Sequence, residues 1–260
     1  MPGGIAGDRM SPDGLRGQWM PLAAALLLLG SSGAAEAACV DPSALSRSTA
    51  SITRHLDASE RAREPDVIGI QGTAWFLGPR LIVTAAHVAR AMYLNERDWR
   101  DVEMRSGDTA VSIPLRVARF VGPRDDNIAV LEMAAPFHGA QTLPVRGDLL
   151  VADEPMISVA YPAERLRVAS GRFVRYGTDG KLADAALLEM YDGSDRLVLD
   201  QGASGAPVVD CGGQVVAVVS SLIVQNLTML SRSMRVSTAW QTPNVVSVPA
   251  NGLKDIAKPE

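Results

Sequence analysis

Two residues set far apart in a chain of 260 carry the candidate chemistry. His87 closes the run Thr84-Ala85-Ala86-His87, and Ser204 sits within Gly202-Ala203-Ser204-Gly205-Ala206-Pro207. A serine hydroxyl is a weak nucleophile until a base takes its proton, and histidine is the usual base near neutral pH. The glycines around Ser204 let backbone N–H groups crowd toward one point, as stabilising an oxyanion requires. The N–H groups of Gly202 and Ser204 are the candidates for that role. Taken singly, His87 also reads as a packed core histidine, and Ser204 as an ordinary turn serine.

Both residues need rigid supports. The stretch from Gly72 to His87 holds two apolar, β-rich runs around a Gly-Pro turn at 78–79. After Ser204, Val208-Val209, a Cys-Gly-Gly turn and Gln214 to Val219 read as a hairpin. Further short strands are expected at Trp99 to Arg105, Thr109 to Ala118, Pro144 to Leu150, Met156 to Ala160, Val168 to Val174, Leu187 to Met190 and Leu197 to Leu199. Turn clusters such as Asp192-Gly193-Ser194-Asp195 separate them. Many short strands without long alternating helices predict an all-β barrel architecture rather than a parallel α/β sheet. An α/β-hydrolase elbow would need G-x-S-x-G between a strand and a helix, but Ala206, Pro207 and two valines come after Ser204-Gly205.

The two motifs together resemble those of the chymotrypsin-fold serine proteases, in particular the bacterial trypsin-like and HtrA-like branch. Thr84-Ala85-Ala86-His87 is similar to that family's TAAH signature. Gly202 to Pro207 resembles its G-x-S-G-G-P signature, with Ala206 in place of the last glycine. The resemblance spans roughly 66–225, and the remaining C-terminal stretch is too short for the PDZ domain many HtrA-like proteases carry. It implies an all-β fold of two six-stranded antiparallel β-barrels, about 66–140 and 143–236, with the active site in the cleft between them. It also implies peptide-bond hydrolysis through a Ser204 acyl-enzyme with His87 as base, on a polypeptide bound extended along the strand near Val219-Ser220-Ser221. The pocket for the substrate side chain falls on Val198 and Leu199, with Ser220 and Ser221 opposite, and is apolar. No cofactor or metal is called for. The Ile-Val-Gly-Gly start exposed on activation of secreted zymogens is absent.

One position departs from the pattern. The family's D-I-A-V-L strand supplies the acid that orients the histidine, and Ile128-Ala129-Val130-Leu131 matches it with Asn127 in the acid's place. Asp126 stands one residue earlier. In a triad, Asp→Asn leaves the geometry intact yet lowers turnover by about 10⁴. A one-residue shift on an extended strand points a side chain to the other face, so Asp126 serves only where a turn or bulge re-aims it. Three readings are open: Asp126 substitutes, Asn127 orients His87 weakly, or the chain is a degenerate protease that binds peptides without cutting them.

The remainder of the chain sets the context. Residues 1–38 read as a secretory signal: Arg9 and Arg16, the apolar run Leu22 to Leu29, then Ala35-Glu36-Ala37 as a cleavage site. The expected location is secreted or periplasmic, with no stable membrane insertion after cleavage. The two cysteines, Cys39 and Cys211, are then expected to form one disulfide. Residues 39–65 read as an N-terminal extension with a thin amphipathic helix at 43–63, 66–240 as the protease domain, and 241–260 as an extended C-terminal tail. His55 reads as a surface residue. The formal net charge of −4, without a long basic run, argues against nucleic acid as a partner.

Overall fold

The structure, a computed structural model, describes residues 39–122, 127–179, 182–192, 202–222 and 243–256. The proposed leader at 1–38, Asp126, Val198 and Leu199 lie outside the described residues. Among those described, twelve strands close into two antiparallel six-stranded barrels. The first is built from β1 (Thr49–His55), β2 (Gly69–Gly78), β3 (Leu81–Ala85), β4 (Arg100–Ser106), β5 (Thr109–Val121) and β6 (Ile128–Met133). Its spatial order is β1-β2-β3-β6-β5-β4, with β4 returning to β1. The second uses β7 (Pro155–Ala160), β8 (Arg167–Asp179), β9 (Leu182–Tyr191), β10 (Pro207–Asp210), β11 (Val215–Leu222) and β12 (Val245–Pro249). Its order is β10-β11-β12-β9-β8-β7, closed by β7 on β10. Three short helices complete the outline: α1 (Pro42–Ser46), α2 (Ala58–Arg61) and α3 (Ala86–Ala91).

The apolar runs are unbroken because some strands are buried on both faces. Along β2, Ala74 and Phe76 point into the first barrel, while Trp75 and Leu77 point into the seam between barrels. This is the two-residue period of an extended strand. On β6 the same alternation sends Ala129 and Leu131 inward and Ile128 and Val130 into the seam. Val159, Val209, Val218 and Val248 of the second barrel meet them there. Trp75 is wholly buried in this seam. A large apolar side chain so placed contributes about 1.5–3 kcal/mol, so the seam holds the two barrels in a fixed relation.

Two boundaries differ from the sequence reading. The segment taken as an N-terminal extension with an amphipathic helix contributes β1, the strand that closes the first barrel. Thr49, Ser51 and Arg54 are buried there, and such polar residues conceal a strand from a hydrophobicity pattern. Some of their polar groups are matched locally: Thr49 Oγ1 donates to the Leu45 carbonyl, and Arg54 Nη2 pairs with Glu60 at 2.9 Å, while Arg54 Nη1 is buried without a partner among the described residues. Likewise β12, assigned to the tail, is a full member of the second barrel between β11 and β9. Asn244 precedes it, and its side-chain amide bonds the Met190 N–H and carbonyl, so a polar residue extends the sheet. The strand expected from Pro144 to Leu150 is a single bridge, Val145 to Val215. Cys39 and Cys211 are joined by a disulfide, and the Val40 N–H donates to the Cys211 carbonyl beside it.

Candidate active site

The β2–β3 hairpin splits at its open end, and the Ser204 turn fills the split. The hairpin register pairs Trp75 with Val83 and Phe76 with Ile82. Beyond it, the Thr73 N–H donates to the Ser204 carbonyl at 2.9 Å, and the Thr84 hydroxyl donates to the Thr73 carbonyl at 2.7 Å. Gly205 lies at the wedge point. A Cβ there would stand 2.1 Å from the Thr73 carbonyl oxygen, 2.2 Å from Thr84 Oγ1 and 2.9 Å from the Ala85 nitrogen. Its φ of +92° is the left-handed region that favours glycine. Ala85 is two residues before His87, so this contact brings the serine and histidine motifs together.

His87 is the second residue of α3, which begins directly after β3. The Ala86 N–H, at the helix start, donates to the Asn127 carbonyl at 3.1 Å, continuing the β3–β6 ladder that pairs Ala85 with Ile128. Asn127 is therefore fixed by its backbone against Ala86, the residue before His87, and its side chain lies over Gly122. His87 keeps a solvent-exposed edge, while protein packed around the rest of the ring pushes its pKa below the ordinary 6.5. Burial of part of the ring disfavours the charged imidazolium and so favours the neutral form a general base needs. The acid limb of kcat/KM is accordingly expected below pH 6.5, and a pH–rate profile checks it. The same lowering gives a stability term that is complete above 6.5 and is lost as pH falls through the folded value.

The Ser204 turn is braced from both sides. The Gly205 N–H donates to the Val219 carbonyl at 2.8 Å, and the Val219 N–H to the Ala206 carbonyl at 2.9 Å. Among the described residues neither the Gly202 nor the Ser204 N–H has a backbone acceptor. Ser204 is half-buried, and its Oγ donates to the Ser220 carbonyl at 3.1 Å. Ser220 occupies a bulge: Val219 pairs with Ser247 and Ser221 with Val246, leaving Ser220 as the extra residue. A bulge re-aims the backbone locally. Past Val219, the β10 side of β11 has no strand partner among the described residues. Among the described residues the edge at 220–222 is thus unpaired on this side, beside the nucleophile.

Ser220 touches the nucleophile through its carbonyl and Ser221 is the exposed residue after it, while Val198, Leu199 and Asp126 fall outside the described residues. His55 and His138 are exposed and stand apart from it; His55 lines a surface cavity of the first barrel with Asp101 and Glu103. Among the described residues no cluster of His, Cys, Asp and Glu is arranged to hold a metal ion, and no helix is long and apolar enough to cross a membrane. Thr73 and Tyr161 escaped the sequence reading. Thr73 bonds Gly202 and Ser204 at 129 or more residues' remove, and the one local signal was a hydroxyl inside an otherwise apolar run.

The model of the trypsin-like peptidase domain family matches residues 72–218. Among solved structures the chain is similar to the active form of the Rv3671c protease from M. tuberculosis. Identity is 15%, with 82% of this chain and 81% of that chain covered and a TM-score of 0.54. An inactive form of Rv3671c from M. tuberculosis H37Rv, carrying a serine-to-alanine mutation, gives 16% identity, 82% and 86% coverage and a TM-score of 0.53. At these identities the likeness is one of fold. No curated protein matches the chain by sequence.

Proposed function

Because the chain belongs to the trypsin-like peptidase domain family, we propose that it is an exported serine endopeptidase working through a Ser204 acyl-enzyme. The observation that carries this reading is the Gly205 wedge, which seats the serine turn against the strand leading into His87. In the proposed reaction Ser204 Oγ attacks the scissile carbonyl as His87 takes its proton. The oxyanion is held by the N–H groups of Gly202 and Ser204. His87 returns the proton to the leaving amine as the C–N bond breaks. Water then attacks the acyl group, again with His87 as base, and releases the acid and free Ser204.

The substrate adds to the open edge of β11 as an extended strand. A peptide N–H bound to the Ser220 carbonyl takes the acceptor that Ser204 Oγ holds at 3.1 Å. Binding thereby frees the nucleophile's proton for His87. An apolar pocket bounded by Val198, Leu199, Ser220 and Ser221 offers no acid to an Arg or Lys side chain, which would be buried unpaired at a cost of several kcal/mol. Export is supported by the leader-like residues 1–38 and by a disulfide that suits an oxidising compartment.

A second reading, a peptide-binding module without turnover, is favoured by one observation: Asn127 stands where the family carries its acid. A fluorophosphonate probe separates the two. The expected result is labelling of the mature protein that disappears in Ser204→Ala, with peptide-library cleavage after Val, Ala, Leu or Met. An unlabelled parent would select the binding module. Preferential cleavage after Arg or Lys would overturn the apolar pocket.

A further inference from the structure

We propose that Thr73 is a positioning residue of the oxyanion hole, fixing the Gly202 and Ser204 peptides from the first barrel. The proposal rests on the protease reading for its effect on rate, though not for its geometry. Thr73 is wholly buried. Each of its polar groups is turned to the site. The N–H holds the Ser204 carbonyl at 2.9 Å, and the carbonyl accepts from Thr84 Oγ1 at 2.7 Å. The side-chain Oγ1 donates to the Gly202 carbonyl at 2.7 Å and accepts from the Tyr161 N–H at 3.0 Å. Gly202 and Ser204 are the two residues whose N–H groups form the hole, and Thr73 pins the carbonyl of each; those carbonyls belong to peptide units 202–203 and 204–205, so the intervening unit that carries the Ser204 N–H is held from both ends.

Gly202 needs such an anchor. With φ at +94° and no side chain, it reaches backbone conformations closed to other residues. A swing of its backbone would misdirect an N–H of the hole or present a carbonyl in its place. The Thr73 hydroxyl blocks this from one side. From the other, the turn at 161–164 closes in: a Cβ on Gly202 would meet Pro162 Cα and the Tyr161 oxygen at 3.3 Å and the Ala163 nitrogen at 3.4 Å. That turn is itself strained, with Ala163 at φ 49° and Glu164 at φ 58°, both left-handed and neither a glycine.

The first barrel holds the strained turn in place. The Tyr161 N–H goes to Thr73, the Tyr161 carbonyl accepts from Gln71 Nε2 at 3.3 Å, and the Glu164 carboxylate accepts from Thr53 Oγ1 at 3.2 Å. Thr53, Gln71 and Thr73 lie on β1 and β2. Strands that carry no reacting group therefore set the geometry of a hole built on the second barrel. Thr73 is the point where the strained turn and the nucleophile turn share one hydroxyl.

The test compares Thr73→Val, which keeps shape and loses the hydroxyl, with Thr73→Ser, which keeps the hydroxyl, in the mature chain. On a peptide that the parent cleaves, Thr73→Val is expected to lose about 10- to 100-fold in kcat, with KM within about twofold. Thr73→Ser is expected within about threefold of the parent. In ¹H–¹⁵N spectra the Gly202 and Ser204 amide signals move in the valine variant and stay in the serine variant. Parent-like kcat in Thr73→Val, an equal loss in both variants, or a loss carried by KM would overturn the proposal. If Thr73→Val does not fold, Thr53→Val decides: it cuts the Glu164 anchor at the barrel surface and is expected to lower kcat about threefold at constant KM, and parent-like kcat there overturns the proposal. A parent that cleaves nothing overturns the protease reading alone, and the amide signals then decide. Movement only in the valine variant supports the positioning role; any other pattern ends it.

Discussion

Gly205→Ala is expected to remove activity and about 3–5 kcal/mol of stability together. Two effects add. An L-residue in the left-handed region is penalised by roughly 1–2 kcal/mol. The new methyl would also stand 2.1 Å from the Thr73 carbonyl oxygen and 2.9 Å from the Ala85 nitrogen, and neither backbone atom can turn aside as a flexible side chain would. The serine turn must then lift off the hairpin, carrying Ser204 away from the histidine strand. Gly139→Ala is the control. Its φ is +81°, but a Cβ there meets nothing within 4 Å, so the expected loss is only the backbone share of about 1–2 kcal/mol. Urea unfolding of both variants, with fluorophosphonate labelling, measures the difference. Equal stability losses would sink the wedge interpretation.

A large effect on rate without the stability loss is expected where Asp126 serves as the acid, one of the three readings of this position. Asp126→Asn should lower kcat by about 10⁴, while Asn127→Asp leaves it within about threefold. The physical basis is charge. When His87 takes the serine proton it becomes a cation, and an amide at 127 has no negative charge to stabilise it. Asn127 is tied by its carbonyl to the Ala86 N–H, at the start of the histidine helix. Steady-state kinetics on the two single variants reads the assignment. The reverse pattern, with a large gain in Asn127→Asp and little change in Asp126→Asn, would make Asn127 the partner. Inactivity of the parent and both variants would point to the peptide-binding module.

The parts of this fold that were legible in the sequence are those where chemistry and local pattern coincide. The Gly-Pro turn between β2 and β3, the Cys-Gly-Gly turn after β10 and the β4–β5 pair each declare themselves within a short window. β1 did not, because Thr49, Ser51 and Arg54 are buried polar residues, Thr49 and Arg54 bonded to Leu45 and Glu60, and a hydropathy pattern cannot count a polar residue as core. β12 was hidden by Pro243-Asn244 before it and by Pro249 as its last residue, which read as turn chemistry although Asn244 completes the sheet through its side chain. The motif residues at the site were visible as types. Their supports were not: the partners of Thr73, Tyr161 and Ser220 are set by the docking of two barrels and the closing of the second, and no window on a single strand contains that information.

The bond between Cys39 and Cys211 spans 172 positions, so most of the chain forms one covalent circle. On the proposed protease reading, the chain works among proteases, its own copies included. A single cut anywhere between the two cysteines opens the circle into a line without releasing a piece. The ends stay linked, and the nicked chain can close over the wound. Everything from β1 through β10, with His87 and Ser204, enjoys this insurance. The segment after Cys211 does not. A cut between β11 and β12 would leave the last barrel strand held by hydrogen bonds and packing alone, so the vulnerable stretch of the molecule is its C-terminal end.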